Sequence, residues 1–411
     1  MSDFTPKWLT ISFFNLLLVA SLGIILRYKI AFYLPFVEQK FALHSHSHFA
    51  FSGWITQTLM VLMIHYLSLN HGPQIVKRYH WLLYANLITA YGMMISFMLQ
   101  GYGIYSITFS SLSIVVSYFF AIYYWKDLNH LNQKNVSHLW FKAALLFSVI
   151  SSVGVFCLAF MMANAIINQN GHLSSIYFFL HFQYNGWFFF AGMGLLVSRL
   201  EQIKTATKTL RLIFILFCFA CMPAYFLSIM WIKIPGITYI TLVAAIAQLV
   251  GWGLMLKLIS NNRAFIRQEF SKSGKALLLL SAIALSIKLL LQSASVHPAL
   301  SQLSYSFRPI IIGYLHLVLL AVISIFIVGY ILSFKLVPVT KKFITGVWVF
   351  VAGIIINELL LMMQGITALN YTIIPYIDLM LFTAAIILFV GIAMMFYGCI
   401  KNRGDVVQED D

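Results

Sequence analysis

The chain has 411 residues, of which 61% are hydrophobic and only 9% charged, with a net charge of +15. Soluble domains carry about 25% charged residues, so this composition excludes a chain covered by water and points to lipid as its solvent. The apolar runs are about twenty residues long and do not alternate strictly, which favours spanning helices over barrel strands.

In chain order, the stretch from Trp8 to Leu26 is long enough to span. No small-residue cleavage site follows it, so it reads as a first permanent helix and not a signal peptide. Further spans are predicted to begin near His48, Trp81, Ile104, Leu139, Ser175, Leu210, Ile237, Ala276, Pro309, Phe343 and Ile373. Each runs about 20–25 residues, enough for a hydrocarbon core of about 30 Å. The expectation is an all-α polytopic membrane protein, with twelve transmembrane helices in one domain over residues 1–411. The four cysteines, Cys157, Cys218, Cys221 and Cys399, all fall in apolar segments and read as small core or lipid-facing residues.

The basic residues are sorted by side. Alternate connections hold the clusters, among them Lys77 and Arg78, then Arg199, Lys204, Lys208 and Arg211, then Lys257, Arg263, Arg267, Lys272 and Lys275. Lys7, Lys401 and Arg403 fall with them. Of the 26 Lys and Arg, only Arg27, Lys29, Lys40, Lys233, Lys288 and Arg308 lie on the other side. The positive-inside rule then places both termini in the cytoplasm, which requires an even number of spans. Sorted charge accounts for the basic balance without a nucleic-acid partner.

A repeat organises the chain. Span two carries His48-Phe49-Ala50-Phe51-Ser52-Gly53-Trp54, and span six carries His181-Phe182-Gln183-Tyr184-Asn185-Gly186-Trp187. Span ten carries His316 with Ala321 five places on. The histidines are 133 and 135 residues apart, and each interval holds four spans. The expected pseudo-repeats are residues 1–138, 139–272 and 273–411. At 3.6 residues per turn, a histidine and the small residue five places on lie about 140° apart. The small residue is therefore expected to admit a neighbouring helix or a flat cofactor.

Ionisable groups inside membranes are costly and usually functional. Neutral imidazole binds haem iron, copper and zinc. The alternative for any one histidine is a hydrogen bond to a neighbouring helix. In His44-Ser45-His46-Ser47-His48, a helix would put His44 and His48 on one face and turn His46 about 200° from His48. The candidate ligands are His44, His46, His48, His181 and His316. His65, His71, His80, His130 and His138 read as interfacial, and His172 and His297 as outer-loop residues. Lys288 and Glu358 fall inside spans nine and eleven, and Asp378 lies near the outer end of span twelve. Each is read either as a relay group or as an interhelical partner.

Twelve spans in three groups of four, with histidines on the second, sixth and tenth, resemble the catalytic subunit of haem–copper oxidases and nitric oxide reductases. His46-x-His48 followed by Gly53 is also similar to a motif of the NnrS family, membrane proteins linked to haem, copper and nitric oxide. The resemblance implies haem, with copper or another transition metal beside it, and His48 and His316 as the axial pair. His181 matches the copper ligand on the sixth span. Span seven, Leu210 to Trp231, lacks the histidines of an oxygen-reducing copper centre. The expected role is electron transfer, nitric oxide handling or redox sensing in a bacterial inner membrane, with a respiratory electron donor or subunit as partner. The alternatives are a proton-coupled transporter and a non-catalytic respiratory subunit.

Overall fold

A computed structural model of the chain describes residues 4–400 except 132, 233–234, 298–299, 303–306 and 370. Lys233, Lys401 and Arg403 of the charge pattern lie outside the described residues. Among the described residues, regular structure is helical throughout. The long helices are α1 (Phe4–Ala31), α2 (39–71), α3 (Pro73–Gln100), α4 (Ile104–Asn129), α5 (Val136–Ala163) and α6 (169–200). They continue as α7 (Thr207–Ile229), α8 (Ile237–Asn261), α9 (Lys272–Ala294), α10 (Arg308–Ser333), α11 (Lys341–Leu369) and α12 (Ile377–Ile400). Ten of these, all but α2 and α6, are long and apolar enough as regular helices to cross a membrane. The protein is an integral membrane protein in contact with lipid.

α2 starts at Gln39, nine residues before the expected start near His48. Its first turns are polar, so hydropathy misses them while the backbone ladder continues. α12 starts at Ile377 and not near Ile373. Tyr371 and Tyr376 sit at positive φ (52° and 59°), a conformation that cannot continue a right-handed helix.

The chain forms two compact units. Unit 1 comprises residues 1–120, 271–277 and 324–411. In it α11 packs closely on α12, and α12 on α1. Glycines set the α11–α12 approach. A Cβ on Gly391 would come within 2.5 Å of the Phe350 nitrogen, and one on Gly346 within 2.7 Å of the Gly391 oxygen. Small residues let helix backbones meet in this way where lipid supplies no hydrophobic drive. Phe13 fills the middle of the unit, 5.5 Å from Phe343 and 5.9 Å from Trp54 between ring centroids.

Unit 2 comprises residues 121–270 and 278–323. Its core is aromatic, with Trp140 packed against Phe190, Phe214 and Phe217. Gly154 of α5 faces α6, where a Cβ would meet the Ser175 carbonyl at 2.5 Å. Glu201, just past α6, accepts hydrogen bonds from Ser137 N and Oγ, both at 2.8 Å, and so ties down the start of α5. Burial pushes the Glu201 carboxyl up from its usual range, against the pull of those bonds.

Gly391→Ala is expected to destabilise the protein by about 1–3 kcal/mol, because the added methyl group meets backbone that cannot yield. Thermal unfolding in detergent measures the loss. An unchanged midpoint would show that α11 and α12 do not pack this closely.

Candidate functional site

The three histidine-bearing helices share a backbone irregularity. α2 turns π-helical over Ala50–Thr56, α6 over Phe182–Phe188 and α10 over Leu317–Ser324. Each segment begins one or two residues after the repeat histidine, and the starts are 132 and 135 residues apart. π-helical turns are rare and concentrate at functional sites. The α-helical spacing behind the expected 140° between histidine and small residue fails here. Gly186 does admit a neighbour, since a Cβ on it would meet Phe147 of α5 at 2.6 Å. A Cβ on Gly53 would instead meet Phe49 of its own helix at 2.5 Å.

A π turn shifts the hydrogen-bond ladder, and side chains on adjacent helices take up its carbonyls. Asn86 of α3 donates to the Ser52 oxygen at 3.1 Å, and Asn15 of α1 donates to the Gly53 oxygen at 2.6 Å. Asn86 also reaches Gln57 Oε1, and Tyr91 donates its hydroxyl proton to Asn15 Oδ1. On α6 the Cys221 thiol points at the Asn185 oxygen from 3.9 Å. On α10 Ser281 donates to the Val322 oxygen at 2.7 Å. Ser52 and Asn185 each lie four residues after the repeat histidine, so Asn86 and Cys221 do the same work in different repeats.

The histidines themselves differ. Because α2 includes the His44–His48 segment, His46 and His48 diverge as the spacing predicts. His46 Nδ1 lies 3.0 Å from the Val19 carbonyl of α1. A carbonyl only accepts, so Nδ1 carries the proton and Nε2 the lone pair. His48 stacks on Phe97 at 4.3 Å, with Tyr102 Oη 3.5 Å from its Nε2. His44 shares that face, 6.4 Å from His48 and 4.7 Å from Tyr102 between ring centroids. Burial of Tyr102, in the α3–α4 connection, pushes its phenol pKa up.

In unit 2, His181 is 1% exposed and has both ring nitrogens engaged. Asn185 donates to Nδ1 at 3.1 Å, which leaves Nε2 as donor to the Cys221 carbonyl at 2.9 Å. That carbonyl is available because the backbone tightens to a 3₁₀ turn after Pro223, and the Tyr225 N–H turns to Met222. His316 Nδ1 lies 2.8 Å from the Ile312 carbonyl, which again puts the lone pair on Nε2.

Among the described residues, no three of His, Cys, Asp or Glu converge to hold a metal ion. His65, expected at the interface, is buried and within 3.0 Å of Thr5 Oγ1. His138 is also buried, at the start of α5. Glu358 accepts from its chain neighbour Asn357. The residues that sequence reasoning missed are Asn15, Asn86, Asn185 and Ser281. Their only signal was polarity inside apolar runs. The chain matches no known family model and no curated protein.

Asn86→Leu is expected to cost about 1–2 kcal/mol, since it strips donors from two buried acceptors. Asn185→Leu is expected to cost a similar amount by leaving His181 Nδ1 unpaired. Unfolding midpoints of the two variants against the parent check both losses. A neutral result for either would remove that side chain from the bonding described.

Proposed function

We propose that this protein is a haem-binding membrane protein related to the haem–copper oxidases, acting in electron transfer, nitric oxide handling or redox sensing. One observation carries the reading: a histidine stands one or two residues before a π-helical segment on α2, α6 and α10. Three such coincidences at near-equal intervals argue for a triplicated unit with a shared purpose. On this reading α2 and α6 also cross the membrane, giving twelve spans in three groups of four. Both termini then face the cytoplasm of a bacterial cell.

The donor set fits haem better than copper. His46 in unit 1 and His316 in unit 2 are each a candidate ligand for haem iron. Each ties its Nδ1 proton to a backbone carbonyl and so directs a lone pair to Nε2, the usual arrangement of a ligating imidazole. His48, matched by resemblance, ranks behind His46 because its ring is engaged by Phe97 and Tyr102. Copper does not fit His181, whose two nitrogens are committed and which has no converging ligands among the described residues. Haem would supply a one-electron couple. The chain's own part is to fix the imidazole tautomer and to keep water away with apolar helices. A respiratory electron donor or a partner subunit would exchange the electron.

The test is a reduced-minus-oxidised optical spectrum of the purified protein, with elemental analysis for iron. Haem absorption is expected in the parent and in His181→Ala, and it is expected to fall in His46→Ala or His316→Ala. Absence of both haem absorption and iron from the parent protein would overturn the proposal. Solute uptake by cofactor-free protein in liposomes would favour a transporter instead.

A further inference from the structure

Unit 2 contains a buried cation that the haem reading does not use. Lys288 of α9 is 4% exposed and lies within an apolar span. Its Nζ donates to Gln292 Oε1, one turn along α9. Gln292 Nε2 in turn donates to Gln248 Oε1 of α8 at 2.9 Å. Among the described residues, no carboxylate pairs with Lys288. A charged group away from water is strongly disfavoured unless an opposite charge accompanies it.

The hydrogen-bond chain has one possible direction. An ammonium only donates, so Gln292 must turn its oxygen to Lys288 and its nitrogen to Gln248. Gln248 therefore accepts with its oxygen and keeps its amide N–H groups as donors. Lys288 and Gln248 line a partly open cavity of about 20 Å³ together with Tyr184, Asn185 and Cys221. That volume holds one particle the size of a water molecule. Asn185 gives one amide N–H to His181 Nδ1 and keeps the other as a donor. Lys288, Gln248 and Asn185 thus line this space with N–H donors, and most of the other lining residues are apolar.

We propose that this cavity is a site for a single small inorganic anion of halide size, held by the Lys288 ammonium and the Gln248 amide. The ion supplies the negative charge that the surrounding helices lack. The proposal is independent of any haem on α2 or α10. A water molecule beside a neutral Lys288 amine would fill the same space, and it predicts no response to halide.

The test uses the full chain in detergent, heated in chloride, bromide or gluconate at equal ionic strength. The unfolding midpoint is expected to be a few degrees higher in chloride and bromide and to rise with the logarithm of halide concentration. Lys288→Gln is expected to unfold at the same midpoint in all three salts. Gln248→Glu builds a carboxylate into the cavity beside Lys288, and it is expected to remain folded without halide and to lose the dependence. It decides the matter should Lys288→Gln fail to fold. Equal parent midpoints in chloride and gluconate would overturn the proposal, as would a halide response that persists in either variant.

Discussion

A carbonyl that leaves the α-helical ladder inside lipid must find another donor, because no water is there to supply one. This constraint organises the functional helices. Their π-helical segments displace backbone groups, and Asn15, Asn86, Cys221 and Ser281 on adjoining helices answer them. The polar side chains that interrupt apolar spans are therefore largely structural. They hold open an irregular backbone that an unbroken helix would close. That backbone in turn re-aims the residues around each histidine.

The same economy sorts the histidines. In each, one ring nitrogen faces a partner that dictates the tautomer, but the partners differ. Val19 and Ile312 offer carbonyls to Nδ1 of His46 and His316, which leaves the lone pair on Nε2. His181 is held from both sides, by Asn185 and by a carbonyl that the 3₁₀ turn following Pro223 releases. His46 and His316 thus keep an unprotonated Nε2, whereas His181 is a buried structural link bonded to Asn185 and Cys221 at the Lys288 cavity.

Much of the fold was legible from hydropathy and charge. The long helices follow apolar runs, and the starts at Ile104 and Ile237, each just after a glycine, fall where the sequence reading puts them, whereas α3 starts at Pro73, ahead of the expected Trp81. Agreement fails at α2, whose first turns are polar, and at α12, where two left-handed tyrosines delay the helix. The histidine spacing picked out the three helices concerned, but nothing in it signalled the backbone irregularity. A π turn depends on which neighbouring donors reach the displaced carbonyls, and those lie up to 41 residues away in the chain.

By itself, then, the sequence determined the solvent, the helical class, the recurrence of three histidines and the opposed directions of His46 and His48. These follow from composition and from helical periodicity, which are local properties. Only the tertiary structure decided which ring nitrogen of His46, His181 and His316 carries the proton, that Lys288 meets no carboxylate among the described residues, and that the histidine segments are π-helical. Those outcomes depend on hydrogen-bond partners brought by other helices. In a membrane, where an unpaired polar group is so costly, such partners decide what a buried side chain can do.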